Sequence, residues 1–143
     1  MGLVYSSASP QAFYPPLASE ARISNVGAFG FLDSWESHDK VWLWGDGVDV
    51  GQHPENITWS VVSVVGCPGH VQIKHLPTGR LLYASPDNWV RVVTVEAAHE
   101  SRRSHWILKN QIEGHAQLGP GVFYVINSGN GKFLDGSWIF IST

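Results

Sequence analysis

Hydrophobic and polar positions alternate in short runs along this chain, and three of the runs share one pattern. Residues 23–33 (ISNVGAFGFLD), 73–83 (IKHLPTGRLLY) and 125–135 (VINSGNGKFLD) each begin on a β-branched residue and carry turn formers in the middle. Each places a leucine at its tenth position, as Leu32, Leu82 and Leu134. Such a pattern predicts strand, tight turn, strand. The starts lie 50 and 52 positions apart, so a chain of 143 residues holds nearly three copies. A repeat of this length fixes the architecture before any other feature does.

The stretches between the hairpins predict further strands. Residues 41–44 (VWLW), 57–65, 89–95, 105–109 and 138–142 are β-branched and aromatic, and 89–95 alternates around Arg91 and Thr94. Pro15-Pro16 excludes a helix and marks a corner, residues 45–54 and 110–121 are loop, and 96–103 has room for a helical turn. About ten to twelve short strands and no convincing helix predict an all-β barrel or sandwich.

Tryptophans narrow the choice. Trp59 follows Ile23 by 36 residues and Trp106 follows Ile73 by 33. Each unit is then four strands with a core tryptophan on the fourth, which is the plan of a β-trefoil. After Val125 only 18 residues remain, too few to reach a closing aromatic, while Phe13 lies ten residues before Ile23. The N-terminal segment is therefore expected to complete the third unit in a permutation-like closure, since termini of compact domains often meet. The expected organisation is one domain, 1–143, with repeats at about 21–66, 70–112, and 122–143 plus 1–16.

Composition then limits the function. Charged residues are 15%, and 15 Gly with 8 Pro favour turns over long helices. A net charge of −3 and pI near 6.1 argue against nucleic acid or an anionic membrane as the main partner. Cys67 is the only cysteine, so no internal disulfide can form, and the count excludes a cysteine-based zinc site. The first residues lack a basic segment followed by an apolar one, and no run reaches the roughly 18 apolar residues of a membrane span. The expected location is cytoplasmic, or outside the cell by a non-classical route.

Catalytic and metal chemistry is thin. The seven histidines contain no pair at the spacing of a helical zinc site. Asp46 and Asp49 in GDGVDVG lack the other ligands of a calcium loop, and no nucleophile elbow occurs. The glycine-rich pieces are hairpin turns rather than phosphate loops. No enzyme activity, cofactor or metal is expected.

Three short motifs carry a resemblance. Phe31-Leu32-Asp33 is followed by Trp42-Leu43-Trp44 and then by Asn56-Ile57-Thr58-Trp59. This order resembles that of the ricin-B-type β-trefoil lectins, including the cytosolic lectins of mushrooms, with Ile57 where that family has the Gln of Gln-x-Trp. The resemblance implies that Asp33 binds two sugar hydroxyls, that Trp44 stacks on the ring, and that Asn56 supplies the amide. In the third unit Phe133-Leu134-Asp135 matches the acidic triplet, and Gln11-Ala12-Phe13 looks like Gln-x-Trp with Phe for Trp. Asp135 and Gln11 are then the polar ligands, with Tyr5 or Trp138 as the stacking ring. The second unit has Leu81-Leu82-Tyr83 in place of the triplet, so its site is absent or rebuilt around Asp87, Asn88 and Trp89.

The chemistry behind such a triad is simple. A carboxylate accepts from two adjacent hydroxyls, an aromatic ring covers the apolar face of a galactose-like sugar, and an amide donates and accepts once more. Shallow sites of this kind bind at roughly millimolar to micromolar, and several on one molecule gain by multivalency. Against this, Asp33 and Asp135 also suit turn caps, and Trp42 and Trp44 fall on one strand face and are buried or exposed together.

The implied function is a multivalent lectin, an agglutinin for galactose- or N-acetylgalactosamine-type glycans. Its partners are glycans or glycoconjugates, with a homodimer as an option. The rival is a β-trefoil protease inhibitor acting through loops 45–56 or 96–104. A cytoskeletal or signalling trefoil, resting on Gly79-Arg80, is the third reading.

Overall fold

The structure is a computed structural model. It describes residues 17–25, 30–44, 53–99 and 101–142, with backbone alone at 43–44 and 135–142. Among the described residues ten strands follow in order: β1 (Ala18–Asn25), β2 (Phe31–Ser34), β3 (Val41–Trp44), β4 (Trp59–Ser63), β5 (His70–His75), β6 (Leu81–Ala84), β7 (Val90–Val93), β8 (Trp106–Lys109), β9 (Val122–Asn127) and β10 (Phe133–Ser142). Helical structure among the described residues is limited to single turns at Val95–Ala98, Pro54–Ile57 and Arg102–Ser104. Two predicted strands are trimmed by these turns. Ile57 sits in the turn that starts at Pro54, because proline fixes the first helical φ. Val95 sits in the turn that the Thr94 side chain caps by accepting from the Ala97 N–H.

Six strands close a barrel. β1 pairs with β4, β4 with β5, β5 with β8, β8 with β9, β9 with β10, and β10 with β1, all antiparallel. The short hairpins β2–β3 and β6–β7 lie off the barrel as caps and touch each other where the Val92 N–H donates to the Asp39 carbonyl at 2.9 Å. Alternation places the core: in β5 Val71, Ile73 and His75 face inward, while His70, Gln72 and Lys74 face outward.

The threefold repeat holds to the level of register. Ser24 pairs with Phe31, Lys74 with Leu81, and Ile126 with Phe133, three equivalent hairpins of one loop length. The N–H groups of Asn25, His75 and Asn127 donate to the carbonyls of Gly30, Arg80 and Lys132 at 2.9, 2.7 and 2.8 Å. Ile23, Ile73 and Val125 meet in the core beside Leu32, Leu82 and Leu134. Trp59 and Trp106 are buried there, and their indole N–H groups donate to the Leu32 and Leu82 carbonyls at 2.9 and 3.0 Å. Burying so large a ring requires a partner for its one polar atom, and the neighbouring hairpin provides it.

In the third unit β10, which includes the expected strand at 138–142, lies between β9 and β1: Val122 pairs with Phe140 and Ile141 pairs with Ile23. The β9–β10 ladder slips between Ile126↔Phe133 and Tyr124↔Trp138, so residues 134–137 form an irregularity where the first two units have a full cap hairpin. One ten-residue strand, roughly 33 Å long, thus begins as cap and ends as barrel wall. Residues 1–16, with Tyr5, Gln11 and Phe13, lie outside the described residues.

Candidate functional site

The turn joining β6 to β7 holds the second-unit residues Asp87, Asn88 and Trp89. Pro86 and Asp87 suit a tight turn, and Asn88 adopts a positive φ of 70°, which asparagine tolerates better than most residues. The turn closes by the Ser85 N–H donating to the Trp89 carbonyl at 2.8 Å. Asp87 Oδ1 accepts from the Trp89 N–H at 3.1 Å, and Oδ2 accepts from Arg91 at 2.9 Å. The Arg91 hydrogen bond, with the Trp89 N–H second, holds the Asp87 carboxyl below its ordinary range. Lys132, from the third hairpin, donates to Asn88 Oδ1 at 2.8 Å.

These bonds fix the turn and leave the Trp89 ring outside, 68% exposed. Beside it lies a cavity of about 520 Å³ lined by Leu32, Val41, Trp42, Trp89, Val90 and Leu134. Trp42 is 39% exposed and stands edge-on to His38, with ring centroids 4.6 Å apart. A flat apolar face, an amide, a carboxylate and an ammonium therefore meet within one corner. That set can stack on a ring and exchange hydrogen bonds with hydroxyls.

The first-unit residues lie deeper. Asp33 is fully buried on β2, where its Oδ2 accepts from the Trp35 indole N–H at 3.2 Å. Trp35 in turn meets His53 edge-on with centroids 4.9 Å apart. Asn56 is buried as well, and its carbonyl accepts from His75 Nε2 at 2.9 Å. In the first unit Asp33 and Asn56 are buried, while Trp35 and His53 lie at the surface over them, partly exposed. Trp44 ends β3 opposite Phe31, Asp135 lies within β10, and Trp138 pairs with Tyr124; these three are placed by backbone alone. Tyr5 and Gln11 fall outside the described residues.

Sequence reasoning did not find Lys132 and Trp42 as neighbours of Trp89. They come from different units, and only the packing of cap hairpins unites them. The one signal available was the run of exposed-type turn residues next to tryptophan at 87–89.

No family model matches the chain, and no curated protein matches it in sequence. Solved structures do. A designed protein of threefold symmetry, ThreeFoil, superposes with a TM-score of 0.60 at 13% identity over 87% of this chain and 89% of its own. The BEL β-trefoil superposes at 0.64 with 14% identity over 92% and 97%. The fold is a β-trefoil. A further trefoil-like match lies in a GlcNAcα1-4Gal-releasing endo-β-galactosidase from Clostridium perfringens, with TM-score 0.63 and 15% identity over 86% of this chain but 32% of that one. Among the described residues of this trefoil, no helix is long and apolar enough to cross a membrane.

Proposed function

We propose that the protein is a carbohydrate-binding module, a lectin for galactose- or N-acetylgalactosamine-type glycans, and not a catalyst. The observation that carries the reading is Trp89: an indole face open to solvent, set above an apolar groove, with Asn88, Asp87 and Lys132 at its edge. An exposed aromatic beside an apolar groove, on a turn whose backbone is fixed by hydrogen bonds, suits a binding role. The likeness to a chain that acts on a galactose-containing glycan is consistent with this assignment. Trp44, and the corner at Asp135 and Trp138, are further proposed contacts, and two or more sites on one molecule gain avidity.

A glycan array, read with red-cell agglutination and competition by galactose and N-acetylgalactosamine, tests the proposal. Bound glycans should carry terminal galactose-type residues, and Trp89→Ala should weaken binding about ten-fold. Asp135→Ala measures the share of the third-unit corner. An empty array, or a Trp89→Ala protein that binds as well as its parent, overturns the reading. Tight inhibition of a protease would instead favour an inhibitor acting through its loops.

A further inference from the structure

The turn between β4 and β5 carries Cys67-Pro68-Gly69-His70. Gly66 and Gly69 take positive φ values of 83° and 82°, a region open to glycine, and the chain reverses tightly. The Cys67 N–H donates to the Val64 carbonyl at 3.2 Å, the His70 N–H to the Cys67 carbonyl at 3.1 Å, and the Val64 N–H to the His70 carbonyl at 3.0 Å. These bonds hold a thiol and an imidazole on one side of the turn.

A third group arrives from the other strand. β5 pairs with β8 through His70↔Ile107 and Val71↔Trp106, which brings His105, the residue before β8, beside His70. The two imidazole rings lie 6.2 Å apart at a steep angle. His105 is almost fully buried, pinned by its N–H to the Arg102 carbonyl and by the Ser128 N–H to its own carbonyl. Nδ1 of His70 is shielded from solvent and has no hydrogen-bond partner among the described residues. One ligand atom from each of Cys67, His70 and His105 lies within 4.8 Å of the other two.

We propose that Cys67, His70 and His105 form a binding site for a zinc-class divalent transition metal. Tetrahedral coordination, with metal–sulfur near 2.3 Å and metal–nitrogen near 2.0–2.1 Å, sets donor atoms about 3.3–3.6 Å apart. Metal binding would draw the three donors in from their present spacing of up to 4.8 Å to that value. One thiolate and two imidazoles are the donor set that zinc and cobalt(II) share, and a carboxylate-preferring cation such as magnesium is disfavoured. Binding displaces the thiol proton, so the thiolate neutralises part of the metal's charge.

Three protein donors leave a fourth position. Cys67 and His105 line a cavity of about 570 Å³ that Gln72, Glu96, His99 and Arg102 also border. The fourth ligand is water or a small anion entering from that cavity. The cysteine count argued against a cysteine-based zinc site; in the proposed site one cysteine suffices because two histidines join it. The assignment stands apart from the glycan reading, and its test uses no sugar.

The experiment is a titration of chelator-treated protein with cobalt(II), followed by displacement with zinc. A single equivalent should produce intense visible bands of tetrahedral cobalt and a near-ultraviolet thiolate-to-cobalt band, and zinc should remove both. Cys67→Ser keeps the size of the side chain; it should lose the thiolate band and weaken cobalt binding about ten-fold or more. His70→Ala, at a half-exposed strand end, should weaken it similarly while the metal-free far-ultraviolet circular dichroism stays that of the parent. Absence of the visible bands in the parent protein, or an unchanged affinity and spectrum in Cys67→Ser, overturns the site.

Discussion

His75 shows how one residue ties two units and records the pH. Its Nε2 meets the Asn56 carbonyl, which only accepts, so Nε2 carries the proton and Nδ1 accepts from the Thr78 hydroxyl at 2.9 Å. The ring is fully buried. Burial lowers its pKa, Arg80 adds to the lowering, and the Asn56 hydrogen bond opposes it. The folded chain therefore resists a proton that the unfolded chain takes up near pH 6.5. Stability from this group is present above that value and lost as pH falls below it. The position equivalent to His75 in the third unit is Asn127, whose side chain donates to the Arg103 carbonyl at 2.9 Å in the same way. His75→Asn should keep the link and flatten this part of the pH dependence, checked by thermal melts of both proteins between about pH 7 and about pH 5.

Gly129 makes a second prediction at this scale. A Cβ there would stand 2.8 Å from the Arg103 backbone nitrogen and 3.0 Å from the Arg102 carbonyl carbon. Gly131, two residues on, has open space but a φ of 73°. Gly129→Ala should therefore destabilise by more than Gly131→Ala, for which backbone strain alone costs about 1–2 kcal/mol. Denaturant unfolding of the two variants decides the order.

At the scale of elements, the hairpins were legible because their information is local. Turn residues and alternating apolar positions set the loop length, and the three equivalent registers follow. What stayed hidden depended on distant partners. The Phe31-Leu32-Asp33 triplet is plain in the sequence, but the burial of Asp33 comes from Trp35 folding back over it and from packing of the β2 cap against the barrel. Cys67 and His70 are three residues apart, yet the third donor depends on the β5–β8 register across 35 residues. Trp59 and Trp106 were expected in the core, and each also clamps a hairpin. Trp59→Phe should cost about 1–3 kcal/mol for the stranded Leu32 carbonyl alone, with cavity formation in addition. Chemical denaturation measures it, and a loss below about 0.5 kcal/mol would mean that the indole bond does not hold the cap.

At the scale of the molecule, the trefoil plan was readable from the repeat, and so was a last strand at 138–142. What was not readable is the slip between Tyr124 and Ile126, which lets β10 turn the corner without a hairpin of its own. The β10–β1 ladder is the seam on which closure depends. Removing residues 138–143 should abolish cooperative unfolding, seen as loss of a sharp near-ultraviolet transition, while removing only the last residue should not.

That seam joins Asn25 to Ile139 and Arg22 to Ser142. During synthesis, at roughly 5–20 residues per second, β1 leaves the ribosome several seconds before its partner exists. Its unpaired flank stays available to other nascent chains until Ser142 has emerged. Barrel closure must wait until that last strand has emerged, and slow decoding of the region after Phe133 would lengthen the time during which that strand edge can aggregate.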